Sequence, residues 1–240
     1  MSGPARYGQY CPIAIAAEVM AERWTPLVLR GLFCGASRFN DIQASVPRMS
    51  SALLARRLKE LEAAGILEKR PTRAGKGHEY ALTASGRELF PVLDAMGVWA
   101  QTWLRREITR DDNLDPDVLM WEVRRMALNA GERADGRRVV EFTLEGVPAE
   151  KRFYWLVFEE GDIDICVQDP GHEIDLWVET HIRTLIEIWL GFDTLTAALE
   201  AGRLHLDGAR AEQDAFRRWF HLSHFAASGQ RIGGAGARVG

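Results

Sequence analysis

The chain has 240 residues, with 30 Lys and Arg against 34 Asp and Glu for a formal charge of −4, and 47% of its residues are hydrophobic. That apolar fraction excludes wholesale disorder, and the length suits two domains of about 100–150 residues each. No run of about 18 apolar residues escapes a charge, the N-terminus has no apolar signal core, and Cys11, Cys34 and Cys166 are too few for a disulfide framework. A cytoplasmic protein without membrane partners is expected. The mean charge conceals a split: residues 1–110 carry a net +6 and residues 111–240 a net −10. Such asymmetry suits different partners for the two halves, and equally suits two domains with unrelated surfaces.

In chain order, Pro12 opens a helix whose Ile13, Ala16, Ala17 and Met20 share a face. A second helix spans 24–33, with Thr25-Pro26 as its start and Gly35 beyond its end. A short third helix, 39–45, stops at Pro47. The fourth starts after Ser50 as N-cap and runs to Ala64, with Leu54, Leu58 and Leu61 as its apolar stripe and Arg56, Arg57 and Lys59 mostly off it. Residues 66–72 and 78–83 read as strands joined by a turn at 73–77. One long helix, 84–107, then carries Leu89, Val92, Leu93, Met96, Trp99 and Trp103 at helical spacing. The polar run 109–113 marks the domain boundary.

The second half is mixed. Asp115-Pro116 caps a helix to about residue 129. Strand-like runs follow at 139–144, 153–159, 162–168 and 173–178. Two show period-2 alternation: Ile163, Ile165 and Val167 on one face, and Ile174, Leu176 and Val178 on one face. An antiparallel sheet with one wet face is expected. Thr180 is read as the cap of a helix bearing Ile182, Leu185, Ile186 and Trp189. Asp193 starts another to Glu200, Leu204 and Leu206 suggest a strand, and the last helix carries Phe216, Trp219 and Phe220. Residues 228–240, rich in Gly, Ala and Arg, read as a disordered tail.

Helices, turn, basic helix and a hairpin with a basic tip form the order of a winged helix-turn-helix. The fourth helix suits the major groove, and the hairpin tip suits the minor groove or its phosphates. The candidate DNA-binding residues are Arg38, Arg48, Ser50, Ser51, Arg56, Arg57, Lys59, Arg73 and Lys76. The alternative is a solvated helix face in which Arg57 and Lys59 pair with Glu60 and Glu62. Tyr10-Cys11-Pro12-Ile13-Ala14, Arg23-Trp24-Thr25, Arg38-Phe39-Asn40-Asp41-Ile42, Leu54…Arg57-Leu58…Leu61…Gly65-Ile66-Leu67 and Tyr80-Ala81-Leu82-Thr83…Gly86 resemble the HxlR family of bacterial transcription regulators over residues 7–107. The resemblance implies double-stranded DNA as partner and a homodimer built by the N-terminal helix and the long helix after the wing. The stripe of that long helix otherwise packs on its own domain. Cys11 precedes Pro12 at a helix start, where the dipole favours a thiolate, and the resemblance implies redox sensing; the alternative is an inert thiol. Cys34, ending an apolar helix, reads as packing.

In the second half, Trp121, Phe142, Phe153, Trp155, Trp177, Trp189, Phe216 and Trp219 are candidates to line a ligand chamber, or else a bulky core. Residues 173–208, with the stretch Leu199-Glu200-Ala201-Gly202-Arg203-Leu204, resemble the C-terminal part of the sterol-carrier-protein-like fold. That resemblance spans residues 115–225 and implies a five-stranded sheet and helices enclosing an apolar tunnel. The fold class expected is α+β: a winged helix-turn-helix domain at 1–110, then at 111–227 a sterol-carrier-like domain of antiparallel sheet covered by helices. No P-loop, dinucleotide fingerprint, HExxH or GxSxG occurs. No enzyme activity, cofactor or metal site is therefore expected; His221 and His224 share a helix face without an evident third ligand. The function expected is a homodimeric regulator on a pseudo-palindromic operator, responsive to a hydrophobic effector. The alternative is a carrier of hydrophobic ligands whose winged helix makes protein contacts.

Overall fold

The computed structural model describes residues 7–72, 77–131 and 136–228 and divides the chain into two units, Met1–Met96 and Gly97–Gly240. Arg73 and Lys76, and the expected tail beyond Ser228, lie outside the described residues.

The first unit opens with α1 (Pro12–Met20), α2 (Thr25–Phe33), α3 (Phe39–Ser45) and α4 (Ser51–Ala63). The antiparallel pair β1 (Leu67–Pro71) and β2 (His78–Leu82) follows, in register Leu67 to Leu82. Its core is the apolar stripe of each helix meeting the others: Val28, Leu29 and Leu32 of α2, Ile42 of α3, Leu54, Leu58 and Leu61 of α4, and Leu67 of β1 are all buried. Helix α1 differs, because none of its residues is buried.

The expected helix over 84–107 is instead three segments: α5 (Ala84–Arg87), α6 (Phe90–Trp103) and α7 (Arg105–Ile108). Thr83 Oγ1 starts α5 by accepting the Gly86 N–H at 3.0 Å. Pro91 has no N–H to offer the carbonyl of Arg87, so the ladder breaks before α6. The backbone leaves helical geometry again at Leu104 (φ −114°, ψ 27°). The division between the units falls within α6.

The second unit adds α8 (Pro116–Asn129), β3 (Arg138–Glu145), β4 (Phe153–Glu159), β5 (Asp162–Cys166), β6 (Leu176–His181), α9 (Ile182–Trp189), α10 (Leu195–Glu200), β7 (Leu204–Gly208) and α11 (Arg210–Trp219). Asp115 caps α8, accepting from the N–H groups of Asp117 and Val118. The five strands lie in the order β5-β4-β3-β6-β7.

The sheet is mixed rather than antiparallel, since β3 and β6 pair in parallel. Period-2 alternation sets which face a side chain takes and carries no information on strand direction. Two boundaries also differ from expectation. Thr180 remains in the β6–β7 ladder, so His181 caps α9 through Nδ1, which accepts the Arg183 N–H at 3.1 Å. Thr194, not Asp193, caps α10, taking the Ala197 N–H at 3.1 Å, while Asp193 pairs with Arg203.

One face of the sheet (Val140, Phe142, Leu144, Tyr154, Leu156, Phe158, Ile163, Leu176, Val178) packs with side chains from α8, α9, α10 and α11 in a single core. The opposite face carries a small separate cluster of Val139, Trp155 and Val157, with Cys166 and Ile174 against it. Ile174 is thus parted from Leu176 and Val178, because β6 begins only at Leu176.

Candidate nucleic-acid interface

Helices α3 and α4 and their five-residue connection form a helix-turn-helix. The turn is locked from within: Gln43 Nε2 donates to the carbonyls of Val46 (3.4 Å) and Met49 (2.6 Å), and Val46 and Met49 are buried. Ser50 then caps α4, its Oγ accepting the Leu53 N–H at 3.3 Å. The cap fixes where α4 starts and therefore which residues face out. Arg30 Nη2 reaches the Ser45 carbonyl at 2.7 Å, tying α2 to the end of α3.

The outward face of α4 presents Ser51, Ala52, Ala55, Arg56 and Lys59, all exposed. Among the described residues Arg56 makes a long surface pair with Glu60 (3.7 Å), of the kind that contributes little and yields readily to another partner. Ala52 and Ala55 did not stand out in the sequence. Their small side chains, set at i and i+3 between Ser51 and Lys59, allow the backbone of α4 a close approach to a flat or grooved surface. Arg38, at the start of α3, and Arg48, in the turn, are also exposed.

Arg57 is a correction. It is 7% exposed, with its guanidinium 3.1 Å from Glu22 Oε2 and 2.7 Å from Glu60 Oε2. It faces the interior beside Leu54, Leu58 and Leu61 because 57 follows 54 by three positions and precedes 61 by four, so it belongs to the same helix stripe. The pairing of Arg57 with Glu60 foreseen for a solvated face does occur, but with Arg57 turned inward. Cys11 is partly exposed at the α1 N-cap, with no hydrogen bond from its side chain to the cap.

The ring residues of the second unit do not line one chamber. Phe142, Phe216 and Trp219 are core, packed ring on ring with Phe216–Trp219 centroids 5.0 Å apart. Trp121 is also buried, with Arg125 over its ring. Phe153, Trp155 and Trp177 sit on the other face of the sheet, since the pleat sends 142 and 155 in opposite directions in paired strands. The indole N–H groups of Trp189 and Trp219 are buried without a hydrogen-bond partner among the described residues.

Among the described residues no group of three or more His, Cys, Asp or Glu side chains is arranged to hold a metal ion, and no helix is long and apolar enough to cross a membrane. Tyr154, whose hydroxyl donates to Asp117 Oδ1 at 2.7 Å, has its ionisation pushed above the usual phenol range by burial and by that carboxylate.

Residues 19–108 match the model of the HxlR-like helix-turn-helix family. The HTH-type transcriptional regulator YvaP of Bacillus subtilis (strain 168) is 34% identical over 102 residues, which cover 40% of this chain and 91% of that protein. The HTH-type regulator sll1512 of Synechocystis sp. is 38% identical over 105 residues, 42% of this chain and 75% of that protein. The reduced form of the transcriptional regulator YodB from B. subtilis is a solved structure with 33% identity and a TM-score of 0.36, covering 40% of this chain and 95% of that one. These relatives are regulators of transcription, not enzymes. Through the unit that holds the capped α4 and its hairpin, the chain belongs to the HxlR-like helix-turn-helix family of transcriptional regulators.

Proposed function

We propose that the protein is a homodimeric repressor or activator that sets α4 of each protomer into successive major grooves of a pseudo-palindromic operator, about 34–36 Å apart. The observation that carries the reading is the outward face of α4: an N-capped helix presenting Ser51, Ala52, Ala55, Arg56 and Lys59 to solvent within a helix-turn-helix. Ser51 and the first free N–H groups suit a phosphate, while Arg56 and Lys59 suit phosphates or guanine edges. Arg38 and Arg48 extend the basic surface, and Arg73 and Lys76, which fall in sequence between β1 and β2 and outside the described residues, suit the minor groove.

Unburied apolar residues support the dimer. Tyr10, just ahead of α1, and Ile13 within it are exposed, and α6 leaves Phe90, Val92, Met96, Trp99 and Trp103 exposed. Trp99 at 56% and Trp103 at 67% exposure are more than a monomer leaves in water without use. A five-stranded sheet with helices on one face supports a sterol-carrier-like second unit that takes a hydrophobic effector. The buried indole N–H groups of Trp189 and Trp219, without a partner among the described residues, support an effector carrying an oxygen acceptor. Cys11, partly exposed at a helix start, extends the proposal to a thiol whose modification alters DNA binding.

Footprinting on the protein's own promoter region, with sedimentation velocity of the free protein, tests the reading. A symmetric footprint with two protected half-sites and a dimer in solution is expected. A monomer, or protection without sequence preference, overturns it. Alkylation that affects binding equally in the wild type and in Cys11→Ser overturns the thiol switch.

A further inference from the structure

The strand register lays two rows of side chains across the face of the second unit's sheet opposite its main core. Trp155, Glu141, Trp177 and Asp207 stand opposite one another on β4, β3, β6 and β7. Two residues along, Phe153, Thr143, Glu179 and His205 form the adjacent row. These eight positions hold three carboxylates and three aromatic rings and no Lys or Arg. Trp177, Glu179, His205 and Asp207, all exposed, line a depression of about 290 Å³. Its neighbour Trp155 is held in place, with its indole N–H donating to Glu141 Oε2 at 3.0 Å and its ring stacked on Phe153 at 6.1 Å. At the edge of the same face, the Arg152 guanidinium stands 5.5 Å from the centre of the Phe153 ring.

We propose that this depression binds a small organic cation, an ammonium or guanidinium group carried on an apolar body. A ring face attracts a cation through its quadrupole, and carboxylates on both sides add Coulomb attraction that a neutral ligand cannot use. Arg152 on Phe153 is the same kind of contact, made within the chain at the edge of this face. The size stands at the lower limit of small-molecule sites, about 300 Å³, and suits only a small ligand. Anions, DNA phosphates included, are repelled by Glu141, Glu179 and Asp207. A second copy docking here about a two-fold axis would bring those carboxylates against their own counterparts, which is unfavourable. A cation site on this unit is independent of DNA binding and of dimer formation, so its failure leaves the proposed regulator untouched.

The test uses the full-length protein and follows the tryptophan indole N–H resonances, with Trp177 assigned by Trp177→Phe. The probes are benzyltrimethylammonium, benzyl alcohol and benzoate. Benzyltrimethylammonium is expected to shift the Trp177 resonance saturably, with benzyl alcohol and benzoate leaving it in place. Glu179→Gln and Asp207→Asn are each expected to weaken the cation by about two- to fivefold, the range for an exposed charge pair. All the substituted side chains are exposed, so unchanged thermal midpoints are expected and checked. Equal binding of benzyl alcohol, indifference to both carboxylate substitutions, or an unmoved Trp177 resonance overturns the proposal. So does a change of sedimentation on neutralising the two carboxylates without loss of cation binding, which would make this face an interface between copies.

Discussion

Replacing Arg57 by Ala separates a structural arginine from its DNA-facing neighbours. Its side chain is 9% exposed and makes charged contacts of 3.1 Å to Glu22 and 2.7 Å to Glu60, whose own side chains are 43% and 49% exposed. Glu22 lies in the connection between α1 and α2, so the pair ties α4 to that connection. Truncation removes two charge-assisted hydrogen bonds and the packed stem of the side chain. Because both glutamates regain water readily, the loss is smaller than for a wholly buried pair, about 1.5–3 kcal/mol. For a chain of this size that lowers the thermal midpoint by about 3–12 °C. DNA binding to a mixed-sequence duplex, followed by fluorescence anisotropy over a salt series, should keep its slope of log K against log salt. Arg56→Ala with Lys59→Ala should do the reverse, leaving the midpoint nearly unchanged and flattening the slope by about 0.9 for each phosphate left without its cation. If Arg57→Ala leaves the midpoint in place and flattens the slope by about one, the inward placement of Arg57 is refuted.

Other expectations follow from the same geometry. A Cβ on Gly86 would lie 2.0 Å from the Ile66 carbonyl oxygen, which already accepts from the N–H and hydroxyl of Thr83. Gly86→Ala should therefore cost about 2 kcal/mol or more and lower the thermal midpoint by about 4–8 °C; an unchanged midpoint would show that α5 shifts freely. The hydrogen bond from Arg203 holds the Asp193 carboxyl below the usual aspartate range. Its stabilisation is complete above the unfolded-state value, about 3.9, and is lost as pH falls through the depressed folded value. Midpoints recorded from pH 7 into the acid range should fall less steeply for Asp193→Asn than for the wild type; parallel curves would count against the pair. Burial, then the Asp164 charge, pushes the Cys166 thiol up. Cys166 should react with a disulfide reagent at neutral pH more slowly than a free thiol, measured in Cys11→Ser/Cys34→Ser, and more rapidly after Asp164→Asn.

Much of the first unit was legible in the chain because its signals are local. Ser50 ahead of an apolar stripe at 54, 58 and 61 predicts both the start and the buried face of α4, and both are seen. The broken helix was legible in principle as well, since Pro91 stands in the middle of the expected run. Arg57 shows where local reading stops: charge suggested solvent, whereas helical phase placed it among leucines and Glu22, far away in sequence, supplied the partner. In the second unit, alternation located the strands but could not distinguish a parallel neighbour from an antiparallel one. Nor could a list of aromatic residues tell that Phe142 and Trp155 point to opposite faces, because that depends on the register between β3 and β4.

The charge split and the ordered motifs at 10–14, 38–42 and 80–86 were enough, by themselves, to mark a basic helix-turn-helix unit followed by an acidic one. Capping, turn chemistry and helical phase act within a few residues, so the chain determines them directly. Which arginine turns inward, which way β6 runs, and which rings share a face with Glu179 and Asp207 depend on partners distant in the chain. Those choices come from burying the main core of each unit, and only the tertiary structure decides them.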